Sequence, residues 1–413
     1  MPISALHAAL PPIDVPGMIE FLRDLVRTRS VHDPGSAASR SGEARVAALV
    51  ADRMRDFGWQ PEVSEVAPGR PNVIATIDGG GGPGPVLAFE GHTDVVTEGD
   101  RAEWSVDPYA AEVRGGRVYG RGAADMKAGL AAMIYAVAAI QAAGPFPGRI
   151  MVCALADEEG MMLGAKHACS TGALADVDGV IVCEPEAGEI CAVAKGALRV
   201  RIDVTGKMAH GAMPQHGRNP VPALGRILGA IASLEATLQR ELGSHEHLGT
   251  VYLTPTVLTA GTPVQLNVIP RTASAYLDVR TIPGAAHGDI VARVRDLAAR
   301  ACPQGITPVV TVLEDRPPVD TPVEHPVVAC LAAAHEEVTG SPARYGGVPG
   351  TTDGTILARD AGLATVVYGP GDKWIAHQAD EFVEISDVAT CARVYASAAL
   401  RFLAGAARSR SAA

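Results

Sequence analysis

Hydrophobic and polar positions in the first half of the chain alternate between two patterns. Short apolar runs, of the kind that buried parallel strands need, stand at 72–77, 86–90, 150–156 and 179–183. Helical spacing of apolar positions precedes or separates these runs at 14–27, 42–57 and 126–143. Strands and helices in this alternation predict a doubly wound α/β domain with a mostly parallel sheet.

The pattern changes near Lys195. Residues 197–205 alternate apolar and polar positions, which is the period of a strand with one solvated face. The next predicted elements are a helix at 220–242, strands at 249–259 and 273–280, a helix at 288–302 and a strand at 307–313. This β-α-β-β-α-β order is typical of the ferredoxin-like, or split βαβ, fold.

Beyond a proline-rich stretch at 316–326 the first pattern resumes, with a helix at 327–339 and a buried strand at 363–368. A chain of 413 residues is longer than one hydrophobic core usually supports. We therefore expect an α/β catalytic domain built from 1–195 and 315–413, with an α+β domain inserted at 196–314.

Charge and cysteine content narrow the location and the partners. A formal net charge of −11 disfavours nucleic acid and anionic membranes as partners. Seven cysteines at scattered spacings are typical of reduced thiols in a cytoplasmic protein. The segment from Met1 to Pro16 carries no Lys or Arg, unlike a signal peptide, and no unbroken apolar run reaches the ~20 residues of a membrane span.

Five side chains that can bind a metal each lie just past a predicted strand or open the helix after one. They are His92, Asp125, Glu159, Glu184 and His377. Ligands of open α/β sheets bind beyond the carboxyl ends of the strands. Two imidazoles and three carboxylates suit a pair of zinc-like ions that share one bridging carboxylate. Two such ions about 3.5–4 Å apart activate water, so the pattern indicates a metallohydrolase.

Each candidate taken alone has an ordinary alternative. Asp125 stands where a long helix begins and could be only an N-cap. Residues 157–159 could form a solvated acidic turn, and His377 could be a surface residue. The placement of all these residues at one edge of the predicted sheet favours the metal centre.

Two further carboxylates stand beside these candidates. Asp94, two residues after His92, can accept the ring N–H that a metal-bound histidine leaves free. Next to Glu159, Glu158 can stay free of metal and act as a proton shuttle.

Seven segments resemble one family of co-catalytic zinc hydrolases, which includes acetylornithine deacetylase, succinyl-diaminopimelate desuccinylase, aminoacylase and carboxypeptidase G. The segments are Gly-His-Thr-Asp-Val-Val (91–96), Gly-Arg-Gly-Ala-Ala-Asp-Met-Lys-Ala-Gly (120–129), Asp-Glu-Glu-Gly (157–160), Gly-Lys-Met-Ala-His (206–210), Asn-Val-Ile-Pro (267–270), Asp-Val-Arg (278–280) and Ala-His-Gln-Ala-Asp-Glu (376–381). They occur in order along nearly the whole chain, including the predicted inserted domain.

The resemblance implies two ions bridged by Asp125. One ion would bind to His92 and Glu184 as well, and the other to Glu159 and His377. The family also implies a cis peptide bond after Asp125.

Roles for the remaining site residues also follow from the resemblance. Glu158 would be the general base and Asp94 the partner of His92. The inserted domain would act as a lid and dimerisation domain, with His210 entering the active site of the partner subunit. Asn267 and Arg280 would contact the substrate, and Arg280 would hold its carboxylate.

Some positions depart from the family pattern. Many members have an arginine soon after the Thr-Asp-Gly found here at 352–354, where this chain has Thr355 and Ile356. Thr97 replaces a frequent proline, and Gly211-Ala212 stands beside His210 where the small pair Ala-Ser is common. These departures leave the acyl group of the substrate open.

The sequence therefore predicts a dinuclear-metal amidohydrolase that releases an amino acid from an N-acyl derivative. The expected cofactor is two divalent ions per subunit, zinc first, with cobalt or manganese as alternatives. A dipeptidase or carboxypeptidase of the same fold is the closest alternative. A non-catalytic binding protein is more remote, because all five ligands and Glu158 are present. A nicotinamide enzyme is disfavoured, since no Gly-x-Gly-x-x-Gly opens a helix after the first strands.

Overall fold

Alternating strands and helices build the first part of the chain in the computed structural model, which describes residues 12–33 and 37–410. Residues 1–11, most of the segment that we expect not to be a signal peptide, lie outside the described residues. The first helix begins after Asp14, whose carboxylate caps it by accepting a hydrogen bond from the Gly17 N–H at 3.1 Å.

Apart from three that were not predicted, at 163–170, 353–361 and 385–410, the α-helices of the described part occur at positions close to those predicted. They are α1 (Val15–Arg27), α2 (Ala37–Asp56), α3 (Ala128–Ala143), α4 (Leu163–Ser170), α5 (Pro220–Leu242), α6 (His287–Ala301), α7 (Pro326–Thr339), α8 (Asp353–Ala361) and α9 (Ile385–Arg410). The predicted start of α3 at Met126 is replaced by an irregular turn, Ala123–Lys127, because Asp125 and Met126 have non-helical backbone angles.

The strands likewise coincide with the predicted runs, with several short additions. They are β1 (Glu62–Ala67), β2 (Arg70–Asp78), β3 (Val86–His92), β4 (Glu112–Arg114), β5 (Arg117–Tyr119), β6 (Arg149–Leu155), β7 (Gly179–Val182), β8 (Glu189–Ala194), β9 (Gly196–Thr205), β10 (Ala209–His210), β11 (Tyr252–Ala260), β12 (Val268–Ile269), β13 (Thr272–Thr281), β14 (Thr307–Arg316), β15 (Val319–Asp320), β16 (Arg344–Val348), β17 (Thr365–Val367) and β18 (Phe382–Glu384). Short 3₁₀ turns lie at Arg101–Glu103 and Pro214–His216.

The chain divides into two compact units, which we describe separately. The first comprises residues up to 192 together with 321–346 and 352–413, and the second comprises 193–320 and 347–351. The first unit contains the sheet of order β1-β2-β6-β3-β7-β17-β8. Its middle strands β6, β3, β7 and β17 run parallel, which confirms the predicted mostly parallel α/β fold.

One expectation about this sheet is wrong. The run at 72–77 was expected to be a parallel strand, but β2 pairs antiparallel with both β1 and β6. An apolar run reports burial on both faces of a strand and carries no information about its direction.

Helices cover the parallel strands of the first unit and bury its core. Every residue of α3 from Ala128 to Val137 is buried, and α9 packs against α3 and α7. Helix α3 lies very close to the end of β7, since a Cβ atom added at Gly129 would stand 2.1 Å from the Cys183 carbonyl oxygen. This close approach places the turn before α3 beside the carboxyl end of β7.

The second unit has the ferredoxin-like arrangement. Its antiparallel sheet has the order β11-β13-β9-β14, and α5 and α6 supply apolar residues to its core. The alternation predicted in β9 is confirmed, because Leu198, Val200, Ile202 and Val204 are fully buried while Arg199 is exposed.

Within residues 12–33 and 37–410, two helices are long and apolar enough, by length and composition alone, to cross a membrane. The segment Ala123–Ala143 is almost entirely buried in the first unit and is a core helix. Helix α5 is mostly exposed, and its buried residues, such as Ala223, Ile227 and Ile231, lie on one face. That amphipathic pattern is typical of a surface helix packed on a sheet.

Candidate active site

The parallel strands of the first unit deliver the candidate ligands to one edge. His92 ends β3 and pairs in register with Leu155, the last residue of β6. Glu158 and Glu159 follow β6 in a short turn, and Glu184 follows β7. Because parallel strands end at the same edge of a sheet, these side chains converge there.

Asp125 lies between the two histidines. Its Oδ1 atom is 3.2 Å from Nε2 of His92, and its Oδ2 atom is 3.2 Å from Nε2 of His377. His92 Nε2 is also 3.3 Å from Glu184 Oε1, and His377 Nε2 is 3.1 Å from Glu159 Oε1. The five predicted ligands therefore come together as two triads that share Asp125.

Glu158 lies beside the His92 triad and is buried, with 8% of its surface exposed. One of its carboxylate oxygens is within 4.8 Å of donor atoms of both His92 and Glu184. Burial raises the pKa of Glu158 well above its usual value, although the nearby His92 acts to lower it. This carboxyl group is therefore poised to hold a proton next to the shared ligands.

Asp94 does not hold His92 in the way the sequence suggested. The ring atom Nδ1 of His92 lies 2.9 Å from the backbone carbonyl oxygen of Asp94, whereas the nearest carboxylate oxygen is 3.6 Å away. The carboxylate of Asp94 instead accepts the backbone N–H groups of Glu158 and Glu159, at 3.0 and 3.1 Å. Asp94 thus orients His92 through its main chain and the acidic turn through its side chain.

The electrostatics of the triads follow from burial and close contact. Burial disfavours a charge on His92, but Glu184 and Asp125 outweigh it and hold the pKa of His92 well above its ordinary value. Hydrogen bonds to Asp125 and Glu159 raise the pKa of His377 to about 10. Burial and the neighbouring Asp125 raise the pKa of Glu184 to about 8.

These carboxylates crowd one another in a buried site. Burial also raises the pKa of Glu159, while the two histidines hold the pKa of Asp125 far below its usual range despite its burial. Carboxylates this close together repel one another, and a divalent cation between them would offset that repulsion. Carboxylate oxygens and imidazole nitrogens are also the atoms that bind zinc-like ions. The residues present fit a dinuclear metal centre.

Sequence reasoning missed what fixes Asp125. The fully buried Glu381 accepts hydrogen bonds from the backbone N–H groups of Ala124 and Asp125, at 2.9 and 3.1 Å, and is ion-paired with Arg121. The peptide bond between Asp125 and Met126 is cis, as the family resemblance implied. The motif at 376–381 contained the signal, since its last residue is this glutamate.

The departures at Thr355 and Ile356 do not alter a substrate surface. Both side chains are fully buried in α8, so neither is exposed on a surface that a substrate could contact. Helix α8 turns this part of the Thr-Asp-Gly motif into the core, where Asp353 lies buried near Glu90.

The other predicted site residues lie in the second unit. The β10–β12 ribbon brings His210 and Asn267 together, because His210 pairs with Val268 and the Gly211 N–H donates to the Asn267 carbonyl at 2.6 Å. Both residues are exposed. Arg280, on β13, is half-buried and lies 3.1 Å from Asp278.

Comparisons with known proteins agree with this geometry. A model described as "Peptidase family M20/M25/M40" matches residues 88–401. The succinyl-diaminopimelate desuccinylase of Bordetella bronchiseptica is 32% identical over 361 residues, which cover 84% of this chain and 90% of that protein.

Solved structures of similar fold include an M20 family metallo-carboxypeptidase from Sulfolobus solfataricus, with a TM-score of 0.75 and 19% identity over 94% of this chain and 99% of that one. A dinuclear metal binding peptidase from Bacillus subtilis has a TM-score of 0.70 and 19% identity, over 94% of this chain and 98% of that one.

Proposed function

The chain belongs to the peptidase family M20/M25/M40, and from this premise we propose which residues and which substrate class its reaction uses. Membership confirms the family predicted from the sequence motifs and makes the protein a metal-dependent hydrolase of amide or peptide bonds. The observation that carries the proposal is the position of Asp125 between His92 and His377, with Glu158 beside them.

We assign two divalent ions to the two triads. His92, Asp125 and Glu184 would hold one ion, and Asp125, Glu159 and His377 the other. Nitrogen and carboxylate donors favour zinc, with cobalt or manganese as substitutes. When bound, such a pair of ions acidifies water and polarises a carbonyl group.

The protein's own groups would then manage the proton and the geometry. Glu158 takes a proton from the attacking water and returns it to the leaving amine. Its burial and raised pKa suit a group that must hold that proton during the reaction. Asp94 keeps the Glu158 main chain in place, and His210 stabilises the developing oxyanion.

The substrate is an N-acyl amino acid with a free carboxylate. Arg280 binds that carboxylate through its planar guanidinium group, and Asn267 contacts the acyl amide. The relative from Bordetella bronchiseptica is named for an N-succinyl substrate, so N-succinyl amino acids are the first acyl class to test.

The active enzyme is a cytoplasmic homodimer in which the second unit pairs with its copy. Support comes from β11, an edge strand whose residues beyond Leu253 are exposed, and from Val264 and Leu266 in the loop that follows it, which are 88% and 92% exposed. An unpaired strand edge with apolar neighbours is stabilised by pairing about a two-fold axis. His210 of each subunit would then serve the active site of its partner.

A hydrolysis screen tests the function directly. Protein loaded with zinc or cobalt is offered N-succinyl, N-acetyl and N-carbamoyl amino acids beside dipeptides, and release of free amine is measured. We expect turnover of at least one acyl amino acid above that of every dipeptide. Preferential cleavage of dipeptides would assign the protein to the peptidase alternative.

A further inference from the structure

The turn that carries Glu158 and Glu159 is held together by hydrogen bonds to Asp157, the residue before them. Asp157 is almost fully buried and has a φ of +68°, a backbone conformation rare outside glycine. Its Oδ2 atom accepts the Met161 N–H at 3.0 Å, and its carbonyl oxygen accepts the Met162 N–H at 2.7 Å. The position of Asp157 therefore sets the direction in which the next two carboxylates project.

Two side chains from distant parts of the first unit hold the other oxygen of Asp157. Arg70, the first residue of β2, forms an ion pair with Oδ1 through Nη1, and Nδ1 of His32 lies 3.1 Å from the same oxygen. Arg70 is only 5% exposed. A buried guanidinium loses much of its hydration, so it stays buried only where carboxylates compensate for that loss.

A second carboxyl group, that of Glu43, also lies beside Arg70. Glu43 Oε1 lies 3.1 Å from Nε of Arg70, and burial raises the pKa of Glu43 to about 8. Of the two carboxyl groups beside Arg70, that of Asp157 makes the closer contact. Among the three adjacent acidic residues 157–159, Arg70 therefore pairs with the first, Asp157.

His32 also touches the turn directly. A Cβ atom added at Gly160 would lie 2.2 Å from Cε1 of His32, so the imidazole rests against the backbone after Glu159. The backbone N–H of His32 donates to the Val95 carbonyl at 2.7 Å, which holds the main chain of His32 beside the residue after Asp94. The acidic turn is thus held by Asp94 at its backbone N–H groups and by His32 and Arg70 at Asp157.

We propose that Arg70 and His32 are positioning residues for the reaction: through Asp157 they fix the turn that presents Glu158 and Glu159 to the shared site. The proposal rests on the proposed roles of Glu158 as base and Glu159 as ligand. Neither Arg70 nor His32 touches the substrate in this assignment. Their effect is on the direction of the two carboxylates that do the chemistry.

Variants at Arg70 test the proposal by the pattern of their effects. In Arg70→Gln we expect kcat to fall by about 10–100-fold with KM changed less than about 3-fold, since partners that orient metal ligands typically have effects of this size. Cobalt titrated into metal-free protein and followed by visible absorption should bind at one site with normal affinity and at the other more weakly. Arg70→Lys keeps the charge but not the planar guanidinium group, so its kcat and its weaker cobalt affinity should lie between those of the wild type and Arg70→Gln.

A matched control removes an arginine on the neighbouring strand, opposite the last residue of β2. Arg149 begins β6 and pairs with Asp176 at 3.0 Å on the surface, so Arg149→Gln should match the wild type in kcat, KM and both cobalt affinities. Gly160→Ala is a second variant that leaves every charge in place and displaces His32. It should reproduce the loss of kcat and of one cobalt affinity.

The proposal is overturned if Arg70→Gln and Gly160→Ala both keep the wild-type kcat and both cobalt affinities. It is equally overturned if Arg70→Gln weakens both cobalt sites alike and lowers the melting temperature in proportion, because that result marks a purely structural arginine. The cobalt titration decides the question even if the wild type hydrolyses no N-acyl amino acid, an outcome that would reject only the proposed function.

Discussion

Glu381 accepts a hydrogen bond from the backbone N–H of Asp125 at 3.1 Å, although the two residues are 256 positions apart. Glu381 belongs to the same short segment as His377, so the element that delivers one histidine also holds the turn that presents the shared carboxylate. The two triads are therefore linked in two ways: they share the oxygens of Asp125, and the segment that carries His377 also binds the Asp125 main chain.

Removing Asp125 should disturb both metal ions at once. In Asp125→Ala each triad loses a carboxylate oxygen that lies 3.2 Å from a histidine, whereas His92→Ala and His377→Ala each remove a ligand from one triad only. We expect less than one ion per subunit in Asp125→Ala and about one in each histidine variant. Elemental analysis of the purified proteins measures this, and full occupancy in Asp125→Ala would exclude the bridging role.

Glu158→Gln should separate catalysis from metal binding. The amide keeps the size of the side chain but cannot accept the proton, so kcat should fall by roughly 10²–10⁴ while metal content is retained. Glu159→Gln is the matched comparison at the neighbouring position, and it should lose metal. If Glu158→Gln loses metal instead, the two roles are assigned the wrong way round.

Arg280→Lys should weaken substrate binding through its carboxylate. Lysine cannot form the two parallel hydrogen bonds of a guanidinium, so we expect KM to rise about 10-fold or more with a smaller change in kcat. Steady-state kinetics on acid and amidated forms of one substrate provide the measurement. Arg201→Lys, which alters an arginine paired with Asp203 at 2.7 Å on the neighbouring strand, should behave as the wild type.

Equal KM values for the acid and the amide on the wild-type enzyme would remove Arg280 from the substrate site. The same substrate pair therefore tests the assignment without any variant.

Two inactive variants should restore activity when their subunits are exchanged. If His210 serves the partner's active site, a dimer of one Glu158→Gln subunit and one His210→Ala subunit has one intact site and one site that lacks both groups. A random 1:1 mixture should then reach about a quarter of the wild-type activity, since half of the dimers are mixed and each has one good site. No recovery, despite subunit exchange seen by native mass spectrometry, would place His210 in its own subunit's site or outside catalysis.

Glu43 should make the protein less stable as the pH rises. Its pKa is raised from 4.5 to about 8 by burial, so between these values the folded state binds more protons than the unfolded state and the free energy of unfolding falls with pH. Glu43→Gln removes this dependence. Relative to the wild type, the variant should gain up to about 4 kcal/mol between pH 4.5 and 8.5, an upper value for a shift of this size.

Urea unfolding of both proteins across this pH range measures the difference. A constant difference in the free energy of unfolding would mean that Glu43 ionises normally in the folded protein.

The fold was predictable from sequence wherever burial of one or both faces of an element produces a regular spacing of apolar residues. The alternation of Leu198, Val200, Ile202 and Val204 marks the inner face of β9, and the apolar run before His92 marks a strand buried on both sides. Strand β1 was missed because it is largely exposed and has no buried face to produce a period. Helix α8 was missed for another reason, since only nine residues lie between two turns.

The sequence by itself determined which side chains meet at the site. His92 ends a strand, and Glu159 and Glu184 each come soon after one. Because parallel strands end at one edge of the sheet, local patterns were enough to bring these side chains together. What only the tertiary structure decided is how each carboxylate is held: Asp94 binds the Glu158 N–H from 64 residues away, and Glu381 binds the Asp125 N–H from 256. No local period relates such residues, because their contacts arise only when separate strands and loops pack side by side.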